Sequence, residues 1–90
     1  MTIQYFAYLR DITRCKQEPH RAAPDVRTLL YSLCEKHGPA LRKKLFVLGA
    51  DDLGDVIIMV NGRHISHIGG LDAALHDEDT VQIFPVVAGG

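Results

Sequence analysis

Residues 75–90 read Leu-His-Asp-Glu-Asp-Thr-Val-Gln-Ile-Phe-Pro-Val-Val-Ala-Gly-Gly. The stretch has three parts: an acidic turn over His76–Asp79, an alternating segment over Thr80–Phe84, and a tail over Pro85–Gly90. Successive side chains of a strand point to opposite faces. Val81 and Ile83 therefore share an inward face, and Gln82 and Phe84 share an outward one. The reading divides the chain into a folded domain over 1–84 and a flexible tail over 85–90. Pro85 restricts the root of that tail and lowers its ordering cost.

Working outward, Asp55–Val60 is a short, strongly apolar run that predicts a central strand, and Asn61-Gly62 after it is a strong turn signal. A short strand is expected to follow through His64 and Ile65. Leu71, Ala74 and Leu75 suggest one helical turn packed on the sheet. Further upstream, Val26, Leu29, Leu30, Leu33, Cys34 and His37 recur at spacings of three and four, which is one apolar stripe of a helix. Asp25 or Thr28 is placed to cap its start and Gly38 to end it. Pro39 opens a second short helix with Leu41, Leu45 and Phe46 inward, and residues 49–54 form an acidic loop. At the start of the chain, residues 2–9 alternate as a strand, with Ile3, Tyr5, Ala7 and Leu9 on one face and Gln4, Phe6 and Tyr8 on the other. Arg10–Arg14 read as a polar connection. A weaker strand is expected near 14–21, where Pro19 makes it an edge strand.

The order is hairpin, helix, strand, short elements, strand, tail. A helix crossing one face of a mixed sheet is a compact cover for a sheet of this size. The expected fold class is α+β: a β-grasp, or ubiquitin-like, domain with a flexible Gly-Gly tail.

Composition narrows the function. Ninety residues with a 47% hydrophobic fraction make one small core. A deep, enclosed active site does not fit such a chain. The net charge is −1, and the only basic run is Arg42-Lys43-Lys44, readable as a solvated helical face. No nucleic-acid partner is expected. Neither a membrane span nor a signal peptide is visible, so a cytoplasmic location is the expectation. Cys15 and Cys34 do not form a disulfide or metal pattern. His64 and His67 lack a carboxylate or thiol to complete a metal set and read as surface or locally bonded histidines. Asp51, Asp52 and Asp55 lack calcium-loop spacing. There is no phosphate-binding loop, dinucleotide fingerprint or Ser-His-Asp set, so ATP would be bound by a partner.

What remains is the ending. Gly89 and Gly90 present a slim, flexible α-carboxylate that can thread a narrow channel and be activated as an acyl-adenylate, with Ala88 small enough to follow. Extended, Pro85–Gly90 reaches roughly 20 Å. If the first and last strands are neighbours, Phe6 and Phe84 lie together on the outward face, an aromatic anchor at the root of the tail.

The segments YFAYLRD (5–11), MVNG (59–62) and LHDEDTVQIFPVVAGG (75–90) resemble, in order and over nearly the whole chain, the ubiquitin-like sulfur carriers of the MoaD/ThiS type. The nearest resemblance is to the small subunit of molybdopterin synthase. It implies that Gly90 is adenylated and then thiocarboxylated, with Gly89 passing through the channel. It also implies that Phe6, Phe84, Pro85, Val86, Val87 and Ala88 meet the partners. Those partners would be the large synthase subunit, the adenylating enzyme, and a sulfur donor such as a cysteine desulfurase or rhodanese. The product would be the dithiolene of the molybdenum cofactor. The protein would be a carrier without a catalytic centre or bound cofactor of its own. Three departures stand out: Val86 follows Pro85 where the family often has a second proline, Asp11–Cys15 replaces a short glycine turn, and the segment Arg63–Leu71 is long, with an unusual HISHIGG. Carriers of other pathways (thiamine or amino-acid sulfuration), a protein modifier using the same tail, and a passive ubiquitin-like binding module are the alternatives.

Overall fold

The structure is a computed structural model and describes residues 1–46 and 52–86. Five strands form one mixed sheet: β1 (Thr2–Tyr5), β2 (Gln17–Pro19), β3 (Val56–Val60), β4 (Arg63–His64) and β5 (Thr80–Pro85). Their order is β2-β1-β5-β3-β4. β1 and β5 run parallel, with Tyr5 beside Ile83, and the other pairs are antiparallel. The last strand of the chain is thus the middle strand of the sheet. Among the described residues there are three α-helices: α1 (Leu9–Thr13), α2 (Val26–His37) and α3 (Pro39–Leu45).

The core forms where the two periodicities meet. Ile3, Tyr5, Ile58, Val81 and Ile83 come from alternate strand positions, and Val26, Leu29, Leu30 and Leu33 from the helical stripe; all are buried in one cluster. Leu41, Leu45 and Phe46 extend it from α3. Asp25 caps α2, its carboxylate accepting the Thr28 amide at 2.8 Å. Gly38, at φ 89°, turns the chain between α2 and α3 in a conformation a side chain would resist. Asn61 and Gly62 both take positive φ, as a two-residue hairpin requires.

The first segment departs from expectation. β1 stops at Tyr5 instead of continuing to residue 9. Ala7, at φ 51°, turns the chain, and Arg10–Arg14, expected as a connection, lies largely within α1. Leu9 is buried, but from the helix, and Ala7 is exposed. The turn is fixed by Leu9 and Arg10 amides donating to the Phe6 and Ala7 carbonyls, and by Arg10 Nε donating to the Tyr5 carbonyl at 2.9 Å. An alternating strand and a strand followed by a helical turn both bury Leu9, so periodicity does not separate them. β2 is shorter than expected and is an edge strand, and Ile65 begins a 3-10 turn rather than ending β4. Near Leu71 the helical turn is a 3-10 turn over Gly70–Asp72. The buried residues after it are Ala73 and Leu75, while Ala74 is exposed and bridges to Asp25.

Candidate functional site at the root of the tail

α2 lies on one face of the sheet, leaving the opposite face to solvent. On that open face two rows of side chains run across the strands. The first is polar: Gln82 donates to Gln4 at 2.9 Å, and Gln4 to Gln17 at 3.4 Å. The second, two residues nearer the tail, is apolar. Phe6 and Phe84 stack with ring centroids 4.1 Å apart and an interplanar angle of 13°. Ile57 is the register partner of Phe84 on β3 and is 37% exposed. Both rows follow from the parallel pairing of β1 with β5, which places Gln4 beside Gln82 and brings Phe6 level with Phe84.

The surroundings fix this apolar row in place. The Arg10 guanidinium sits 5.5 Å from the Phe6 ring centroid, a cation–π distance. Phe6 itself donates its amide to the Ile83 carbonyl. Pro85 still belongs to β5, opposite Val56, so the strand reaches one residue into the segment read as tail. Val86 donates its amide to the Asp55 carbonyl at 2.9 Å while its side chain is 44% exposed. Phe6, Phe84, Pro85 and Val86 are therefore contiguous at the point where the chain leaves the sheet. Val87, Ala88, Gly89 and Gly90 lie outside the described residues.

Sequence reading missed two neighbours of this row. Arg10 was placed in a polar connection, although its position four residues after Phe6 suits a turn that folds it back on the ring. Ile57 was absorbed into an apolar run. Five apolar residues in succession put one on the outward face, which is the signal that the open face is not wholly polar.

The opposite face holds a second polar cluster, centred on Glu18 of β2. This carboxylate is 6% exposed and accepts from the Tyr5 hydroxyl at 2.6 Å, from the Lys36 ammonium, and pairs with His37 Nε2 at 2.6 Å. Burial alone would raise its pKa, but the hydrogen bonds from Lys36, Tyr5 and His37 outweigh that and hold it at about 2. Burial, then the bond to Glu18, drives the Tyr5 phenol far above its usual range. The cluster ties β1 and β2 to the end of α2. It lies on the face opposite the Phe6–Phe84 stack and is structural.

The remaining candidates settle into local roles. Asp79 accepts from Asn61 Nδ2 and the His76 amide, both at 2.8 Å, locking the acidic turn to the hairpin; Asp77 and Glu78 are exposed. His64 Nδ1 accepts the Ser66 amide at 3.0 Å. Asp51 lies outside the described residues, whereas Asp52 accepts the Leu53 amide. The run Arg42-Lys43-Lys44 is more than a solvated face. The Arg42 guanidinium lies 5.6 Å from the Phe46 ring and the Lys44 ammonium 5.2 Å from the Tyr8 ring. Cys15 and Cys34 are free thiols, the latter buried, and its burial raises its pKa. No group of three metal-ligating side chains occurs among the described residues, nor does a helix long and apolar enough to cross a membrane. Three shallow grooves open to solvent, one beside Tyr31 and Arg42, one along Arg10–Lys16 and one beside the acidic turn.

The apolar row thus lies at the end of β5, and Val86 beside it stands four residues before the last glycine of the sequence. The sequence profile of the ThiS family matches residues 3–90. The chain belongs to the ThiS family. It is 34% identical over 92 residues to small archaeal modifier protein 3 of Haloferax volcanii, covering 100% of this chain and 98% of that protein. The solution structure of small archaeal modifier protein 1 from Methanosarcina acetivorans superposes with a TM-score of 0.85 at 34% identity, over 99% of this chain and 94% of that one. A Pyrococcus furiosus protein named for molybdopterin converting factor, subunit 1, superposes with a TM-score of 0.73 at 31% identity, over 96% and 95% of the two chains. The β-grasp fold and the ubiquitin-like carrier and modifier family follow.

Proposed function

We propose that this protein is a sulfur carrier whose reactive group is the α-carboxylate of Gly90. The observation that carries the reading is the Phe6–Phe84 stack, flanked by Ile57 and Val86, where β5 feeds directly into the tail. A partner gripping that row would hold the chain at Val86, four residues before Gly90. The domain supplies docking and reach, and the partner supplies ATP and catalysis.

The chemistry follows from the carboxylate. Its two oxygens share the negative charge, so it is a poor electrophile until ATP converts it to an acyl-adenylate and pyrophosphate. Hydrosulfide then displaces AMP and leaves a thiocarboxylate on Gly90; a persulfide would displace AMP to give an acyl disulfide, which a thiol then reduces to the thiocarboxylate, itself becoming a disulfide with the donor. Gly89 and Gly90 suit a narrow channel because neither carries a side chain. In the leading reading the thiocarboxylate serves as the small subunit of molybdopterin synthase and delivers sulfur to the dithiolene of the pterin precursor. Support comes from the tail motif and from the likeness to the Pyrococcus furiosus subunit. The second reading is a protein modifier, in which a lysine amine takes the place of sulfur and forms an isopeptide bond. The 34% identity to a Haloferax volcanii modifier supports it.

The test is intact mass after incubation with ATP, sulfide and the adenylating enzyme of the same cells. Exchange of one oxygen for sulfur, abolished by deleting Gly90, is the expected result. Adding the large synthase subunit with pterin precursor, or a cell extract, then separates sulfur delivery from conjugation. An unchanged mass with an enzyme active on its own carrier would overturn the reading.

A further inference from the structure

We propose that the groove between α1 and β2 docks an acidic segment of the enzyme that activates the tail. The proposal rests on the carrier reading above and adds a second contact to it. The groove is lined by Arg10, Asp11, Arg14, Cys15 and Lys16, with a volume of about 590 Å³. Three cations face one carboxylate here, in a chain whose net charge is −1. The local sign is therefore opposite to that of the whole molecule.

Arg14 supplies an independent observation. It ends α1 in the left-handed region, at φ 61° and ψ 27°, with its amide donating to the Arg10 carbonyl at 2.7 Å. Glycine fills that position with least strain, and a long branched-charge side chain has no conformational reason to be there. What arginine adds over glycine is an exposed guanidinium at the rim of the groove.

The groove is continuous with the tail root. Arg10 forms its wall and is held in place by the Tyr5 carbonyl and the Phe6 ring. Lys16 stands beside β1, its carbonyl accepting the Tyr5 amide at 2.9 Å. A partner seated on Phe6 and Phe84 would thus meet Arg14 and Lys16 next. Cys15 gives the groove no nucleophile aimed outward, because its thiol points to the Glu18 carboxylate 3.8 Å away. The chemistry is electrostatic. An acidic peptide segment fits better than nucleic acid, since the lining has no aromatic ring on which a base could stack.

The experiment is ATP–pyrophosphate exchange by the adenylating enzyme of the same cells, with the full-length protein as substrate, at about 0.05 M and about 0.5 M salt. The double variant Arg14→Glu/Lys16→Glu is expected to raise KM about tenfold at low salt with kcat unchanged, and the gap should close at high salt. Arg14→Gly keeps the fold testable: it should raise the melting temperature while raising KM about threefold. A KM equal to that of the unsubstituted protein in both variants at low salt would overturn the groove proposal and leave the carrier reading intact. No exchange with the unsubstituted protein would overturn both. Inhibition by a single-stranded RNA oligonucleotide that the double variant escapes would assign the groove to nucleic acid instead.

Discussion

The Tyr5 hydroxyl donates to the Glu18 carboxylate at 2.6 Å, joining two adjacent strands through side chains buried beneath α2. Lys36 and His37 reach the same carboxylate from the end of that helix. One ionised group therefore fastens three elements, and its charge state sets how well they hold.

Acid should loosen this fastening. Glu18 is shifted from an ordinary value of 4.5 to about 2. A depressed carboxyl contributes stability that is fully present above its unfolded value and is lost as pH falls through the folded one. The window is therefore about 4.5 down to about 2, and the contribution is roughly 3 kcal/mol at neutral pH. Urea unfolding at pH 7 and pH 3 should show a loss of about 2 kcal/mol of this contribution, and Glu18→Gln should flatten the difference. An equal acid sensitivity in Glu18→Gln would mean that other groups govern it.

The cap of α2 should be separable from the site. Asp25→Ala removes the acceptor of the Thr28 amide and should cost about 1 kcal/mol, while Asp25→Ser should retain most of it. Chemical denaturation measures both, and transfer of sulfur to Gly90 should be unaffected in the folded fraction.

Gly54 is a packing constraint. A Cβ there would lie 2.8 Å from the Lys44 carbonyl oxygen and 3.2 Å from the Phe46 carbonyl, both backbone atoms that cannot swing aside. Gly54→Ala should destabilise the domain by about 1–3 kcal/mol. An unchanged denaturation midpoint would show that the chain crossing α3 can shift freely.

The aromatic row should matter to partners more than to folding. Phe84→Ala removes a half-buried ring stacked on Phe6. Thiocarboxylation should lose at least about tenfold in kcat/KM, mainly through KM, as expected for an aromatic anchor. The stability cost should stay below about 2 kcal/mol. Intact-mass kinetics and a thermal melt, run together, decide between a docking role and a structural one.

Much of this architecture was legible in the residues because burial has a period. Val26, Leu29, Leu30 and Leu33 could only be one helical face, and Val81 and Ile83 one strand face. The Asn61-Gly62 turn and the Asp25 cap were readable because each needs a particular local chemistry. α1 was not, since Leu9 reaches the core from a strand or from a helical turn equally well. The Glu18 cluster was invisible for a different reason. It gathers Tyr5, Glu18, Lys36 and His37 from three elements, and no local pattern marks a pairing 18 or 19 residues apart. Phe6 and Phe84 were placed correctly on one face because strand adjacency and alternation suffice; Arg10 and Ile57 needed the register itself.

β5, the middle strand, ends at Pro85 with β1 on one side and β3 on the other. A pull on the end of β5 runs along the strand axis. It loads two hydrogen-bond ladders in shear, all their rungs at once, instead of unzipping an edge rung by rung. A pull along β5 at Pro85 therefore acts on the strand with a neighbour on each side, not on an edge.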